Sequence, residues 1–109
     1  MCATVPEMAL SAPYRKALRQ LSAWLEGGRT ARRQVFAVRA VIANLDAADR
    51  HRLSRWLAWW CVAAASRGAW LLERIERLDP LLGASTEAAL LRLPGGVDPS
   101  TVRQHRKRA

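Results

Sequence analysis

Apolar residues recur along most of the chain at three- and four-residue spacing, the period of an α-helix with one buried face. Tyr14, Leu18, Leu21 and Leu25 form the first such stripe. Ser11 precedes it as an N-cap, Pro13 sits in the first turn, and Gly27-Gly28 close it. Thr30 caps a second predicted helix that runs to about Asn44, with Ala31, Val35, Val38, Ile42 and Leu45 on its inner side. Asp46 then opens a third, with Asp49 three residues on in a capping-box arrangement. Its stripe, Leu53, Leu57, Trp60, Ala64, Gly68, Leu71, Ile75 and Leu78, keeps phase without interruption. The spacing therefore predicts one long helix over about 47–78, with Ser66-Arg67-Gly68 as the place where it would bend.

Beyond it the signals shorten. Asp79-Pro80 reads as a turn, Ser85 as the cap of a short helix over about 86–92, and Leu93-Pro94-Gly95-Gly96 as its end. Asp98-Pro99 offers a further N-cap and N1 pair ahead of a basic C-terminal segment. No pair of strands and no internal repeat is visible. The expected fold is all-α: a compact bundle of four to five helices around the long central one. A single helical domain over 1–97 is followed by residues 98–109 as a short helix or tail.

Composition agrees with this. Half of the 109 residues are apolar and a quarter charged, which allows a modest core and argues against general disorder. Two cysteines exclude a disulfide scaffold. The most apolar run, Trp56 to Ala65, is too short to cross a bilayer, and residues 1–10 lack the basic and apolar regions of a secretion signal. The expectation is a soluble, cytoplasmic protein that makes no membrane contact.

Charge changes the picture more. Eighteen Lys and Arg oppose nine Asp and Glu, a net charge of +9, and all the basic residues except Lys16 and Lys107 are arginine. The excess is uneven: residues 29–45 carry four arginines and no acid, and residues 98–109 a net +3. Arginine donates two parallel hydrogen bonds from a planar fork and so suits phosphate. On a helical wheel Arg29, Arg32, Arg33 and Arg39 share one broad side of the second helix, with Phe36 among them. On the third, Arg52, Arg55, Trp56, Trp59, Trp70, Arg74 and Arg77 share one flank of the apolar stripe. Trp56 and Trp70 are expected to widen the core face and Trp59 to reach solvent, where an indole can stack on a base. Arg103, Arg106, Lys107 and Arg108, with His105, make a basic arm.

Motifs for catalysis are absent: no GxGxxG, P-loop, GxSxG or HExxH. His51 stands between Arg50 and Arg52 without ligand spacing, and Asp46 and Asp49 read as caps. No enzyme, cofactor or metal site is expected. The turn near Leu45-Asp46 has the look of a helix-turn-helix, yet two carboxylates at the start of the following helix oppose major-groove reading there.

These residues point to sequence-independent binding of DNA or RNA, single strands favoured. The contacts are Arg29, Arg32, Arg33, Arg39, Arg52, Arg55 and Trp59, with Arg103, Arg106, Lys107 and Arg108 as an auxiliary arm. An acidic protein surface is the alternative partner, since Trp and Arg also dominate protein interfaces. In size, single-domain build and lack of a catalytic motif, the chain resembles the small helical anti-CRISPR proteins of phages and mobile elements. That resemblance implies inhibition of a CRISPR surveillance complex, by gripping a Cas subunit or the DNA it exposes. A third possibility is an oligomer closed through the small residues from Ala63 to Gly68.

Overall fold

The computed structural model describes residues 11–26, 32–64 and 67–108, of which 32–33 and 105–108 are described in their backbone alone. Among the described residues there are six helices and no strand, so the fold is all-α. The helices are α1 (Ala12–Glu26), α2 (Arg32–Ala43), α3 (Ala47–Ala63), α4 (Gly68–Leu78), α5 (Pro80–Arg92) and α6 (Pro99–Arg108). The chain divides into two compact units, residues 1–49 and 50–109.

In the first unit α1 packs against α2. Tyr14, Ala17, Leu21, Trp24 and Leu25 are buried on α1, and Val38, Val41 and Ile42 on α2. Full burial of a leucine such as Leu21 or Leu25 contributes about 1.5–3 kcal/mol. The predicted cap holds: Ser11 Oγ accepts from the Tyr14 N–H at 3.1 Å and donates to the buried Asp49 carboxylate at 2.7 Å. Asp46 accepts from the Asp49 N–H at 2.8 Å, which caps the start of α3.

The expected single helix over 47–78 is not formed. Helix α3 stops at Ala63 and α4 starts at Gly68. The stripe hides this break because an interruption of four residues, about one turn, leaves the period intact. The apolar face then belongs to two helices. Leu53, Leu57, Ala58 and Cys61 are buried on α3, and Ala69, Leu71, Leu72, Ile75 and Leu78 on α4.

The next helix is also longer than the expected 86–92, and Ser85 is not its cap. Asp79 is extended (φ −153°, ψ 105°), and its carboxylate accepts from the N–H groups of Leu81 and Leu82. Pro80 follows at the first helical position, so the dipeptide read as a turn is a helix start. Helix α5 runs on through Thr86, whose buried hydroxyl donates to the Leu82 carbonyl at 2.8 Å. Gly95 and Gly96, with φ of 85° and 67°, turn the chain after it, a conformation that only glycine adopts without strain.

Helix α4 lies against both α5 and α6. Glycine marks two close approaches in this unit. A methyl group at Gly68 would collide with the Cys61 carbonyl oxygen and meet Val102 Cγ1 at 3.3 Å. One at Gly83 would lie 2.6 Å from Glu76 Cγ and 2.9 Å from Glu76 Cα. Gly68 thus closes an approach within its own chain, and it is not available to an oligomeric seam. Gly68→Ala is expected to lower stability by about 1–3 kcal/mol in urea unfolding, because backbone atoms must yield. A variant as stable as the parent would show that this approach opens without cost.

Candidate nucleic-acid interface

Helix α2 turns one side inward and one outward. Val38, Val41 and Ile42 are buried, while Phe36 is 66% exposed and Arg39, Ala40 and Ala43 are exposed beside it. At 100° per residue Phe36, Arg39, Ala40 and Ala43 share the outer side. An exposed phenyl ring next to a guanidinium offers both an apolar surface and a phosphate donor. The predicted contacts Arg32 and Arg33 begin the helix, but their side chains lie outside the described residues, as does Arg29 altogether.

Helix α3 presents the second basic face. Arg52, Arg55 and Trp59 are all exposed, at helical positions that stack along one side. Trp59 is 49% exposed. Trp56 and Trp60 are half-buried and lie against each other, ring centroids 5.0 Å apart and tilted by 55°. Trp24 is buried in the first unit. Trp59 is therefore the tryptophan with open ring surface.

The remaining predicted flank is split by the end of α3. Trp70 is half-buried on α4, with the Arg67 and Arg74 guanidiniums 4.9 and 4.8 Å from its ring centroid. Arg77 pairs with Glu73 at 3.0 Å, one turn away. Sequence reasoning passed over Arg67, although Arg–x–x–Trp–x–x–x–Arg spacing places a guanidinium one turn to either side of an indole.

Arg103 belongs to the fold more than to an arm. Its guanidinium bridges Glu76 on α4, at 2.8 Å, and Glu87 on α5. Partial burial disfavours the cation, but the hydrogen bonds and charges of Glu76 and Glu87 outweigh it and raise the Arg103 pKa above its ordinary value. Val102 beside it is buried, so α6 is docked on the second unit. The side chains of Arg106, Lys107 and Arg108 lie outside the described residues.

Elsewhere, Arg15 and Arg19 line an open cleft of about 440 Å³ with Ala12 and Leu18. Burial pushes the Cys61 thiol up to about 12, which suppresses the thiolate that would act as nucleophile or ligand. Among the described residues no cluster of three or more His, Cys, Asp or Glu could hold a metal ion, and no helix is long and apolar enough to cross a membrane. Comparison with protein-family models, curated proteins and solved structures finds no match to this chain.

Two outcomes follow from this geometry. Cys61 is expected to carry about a thousandfold less thiolate at pH 8 in the folded protein than in denaturant, and to react with a thiol reagent more slowly in consequence, a contrast that labelling rates measure. Equal rates would mean that the site opens freely. Because its folded pKa is the higher one, its contribution to stability is present below pH 9 and is lost as pH rises from there toward 12. Arg103→Ala is expected to lower the melting temperature through a loss of about 1 kcal/mol or less, and to leave affinity for oligonucleotides near that of the parent. A large loss of affinity without destabilisation would place Arg103 in the interface instead.

Proposed function

We propose that the chain binds nucleic acid, DNA or RNA, through phosphate charge and with a preference for single strands. The observation that carries this reading is the outer side of α3, where Arg52, Arg55 and an open Trp59 ring lie in register. Arginine forks take backbone phosphates and release their counterions, while the indole stacks on a base that a duplex would keep inside. The outer side of α2, with Arg39 and Phe36 and no acid from 29 to 45, supplies a second contact of the same chemistry.

The polar end of α3 supports binding without sequence readout. Asp46 caps that end, and Asp49 follows in the first turn. A recognition helix makes its base and phosphate contacts with this end, and two carboxylates there repel the backbone. Arginines further along the helix are free of that conflict. In this reading the protein acts in the cytoplasm, without a cofactor and without catalysing a reaction.

One observation favours a protein partner instead. Helix α5 exposes Leu81 (77%) and Leu91 (60%), with Ala84 and Ala88 between them on the same side, and this face carries little charge. Such a strip suits another protein, as in an inhibitor of the anti-CRISPR kind that occupies a subunit of a surveillance complex.

Gel retardation of single-stranded DNA by the purified protein alone separates the two. With about six phosphates neutralised, log K should fall with log[salt] at a slope near −4. Trp59→Ala should weaken binding by about 1–3 kcal/mol. Replacing Arg39, Arg52 and Arg55 by alanine should reduce the slope by about 2. No retardation of DNA or RNA at low salt would end this reading and leave the α5 face as the one to pursue.

A further inference from the structure

The exposed strip on α5 has an internal order that the nucleic-acid faces do not use. Leu81, Ala84, Ala88 and Leu91 follow one another at spacings of three, four and three, the seam of a helix that pairs with another. At 100° per residue they fall within about 80° of the circumference. All four are exposed, the two leucines more than half, and Ser85 beside them is exposed as well.

The strip is symmetric about its own centre. Leu81 and Leu91 stand five residues to either side of Thr86, and Ala84 and Ala88 two. Thr86 itself is buried, its hydroxyl on the Leu82 carbonyl. A two-fold axis crossing the outer side of α5 at this level sets leucine opposite leucine and alanine opposite alanine. Small residues in the middle let two helix axes approach to about 8 Å, and the leucines close the seam at both ends.

Charge gives a second, independent argument for a copy of this chain. Asp79 lies at the start of α5 and Arg92 in its last turn. The N–H groups of Leu81 and Leu82 both go to Asp79 Oδ1, and Oδ2 has no donor among the described residues. Arg92 is exposed and has no partner among them. Antiparallel pairing carries Arg92 of each copy to the Asp79 end of the other, twice per dimer, and opposes the two helix dipoles. An unrelated surface has no cause to match both halves of such a pattern.

We propose that α5 is the seam of an antiparallel homodimer, with Leu81 packed on Leu91 and Arg92 facing Asp79 across the two-fold axis. The net charge of +9 on each copy opposes pairing at low salt, and screening relieves it while the apolar contact persists. One helix pair covers less than the roughly 1,600 Å² of a standard interface, so the dimer forms with a Kd on the order of 100 μM. This inference names an occupant for the α5 strip and does not rest on the nucleic-acid reading.

Sedimentation equilibrium of the full-length protein tests it, from about 10 μM to about 1 mM, with reductant and in about 0.5 M salt, where bridging by nucleic acid is suppressed. A reversible monomer–dimer equilibrium is expected. Leu81→Asp and Leu91→Arg each suit the helix dipole at their own end, so both variants should fold, which circular dichroism checks. Either one alone should weaken the dimer by about tenfold or more. Mixed in equal amounts, the two variants should associate again. An antiparallel seam sets the new acid against the new base and keeps a leucine pair at its other end.

A chain that stays monomeric to the highest concentration would overturn the proposal and leave the strip to another protein or a lipid surface. A dimer that neither variant weakens would overturn it too, by placing the seam elsewhere. So would two folded variants whose mixture stays monomeric, since the seam would then not be antiparallel. With no nucleic acid present, each of these results leaves the gel-retardation outcome independent.

Discussion

Residues 50–109 depend on backbone being allowed very close to helix α4. The helix has only eleven residues, too few to be stable in water on propensity alone, so it exists because neighbours cover it. Gly68 lets its first turn abut the last turn of α3 at the Cys61 carbonyl, and Gly83 lets α5 settle on the backbone of Glu76. Side chains at either position would hold the partners off by the width of a methyl group. That gap would cost Leu71, Leu72, Ile75 and Leu78 the contacts that bury them.

This covering also decides which charges are drawn into contacts between helices. Docking α6 beside α4 and α5 brings Arg103 between Glu76 and Glu87, and the helical period brings Arg77 over Glu73. Two basic residues that count equally in the net charge are thereby held within the fold. Arg52 and Arg55 lie on the exposed side of α3, and Arg67 and Arg74 on an indole. A net charge of +9 therefore overstates what a ligand meets, and the faces that matter are those where guanidiniums outnumber carboxylates locally.

What could be read from the sequence follows the range of each interaction. Helices α1 and α2, the Ser11 and Asp46 caps and the outward Trp59 depend on neighbours within a turn or two, and spacing alone predicts them. The break after Ala63 was hidden because the stripe regains its phase at Gly68. Asp79-Pro80 reads as a turn although it repeats the Asp98-Pro99 pattern, which reads as a helix start. What differs is the helix ending immediately before it, and a proline serves equally well as a stop and as a first residue. The engagement of Arg103 was beyond reach, because Glu76 is 27 residues away and meets it only once α4 and α6 are packed.

Tryptophan shows how one residue type is divided among different tasks by its surroundings. Trp24 is core, Trp56 and Trp60 cover each other, Trp70 is flanked by guanidiniums, and Trp59 retains open ring surface. Stacking on a base requires an unoccupied face, so among the five only Trp59 is placed for it. A single stacking residue can favour an unpaired base over a paired one, but it cannot read a run of bases. On the proposed reading the arginines around it would contact phosphate, which is the same at every nucleotide. Strand preference without sequence preference is then what this division of aromatic and cationic side chains would produce.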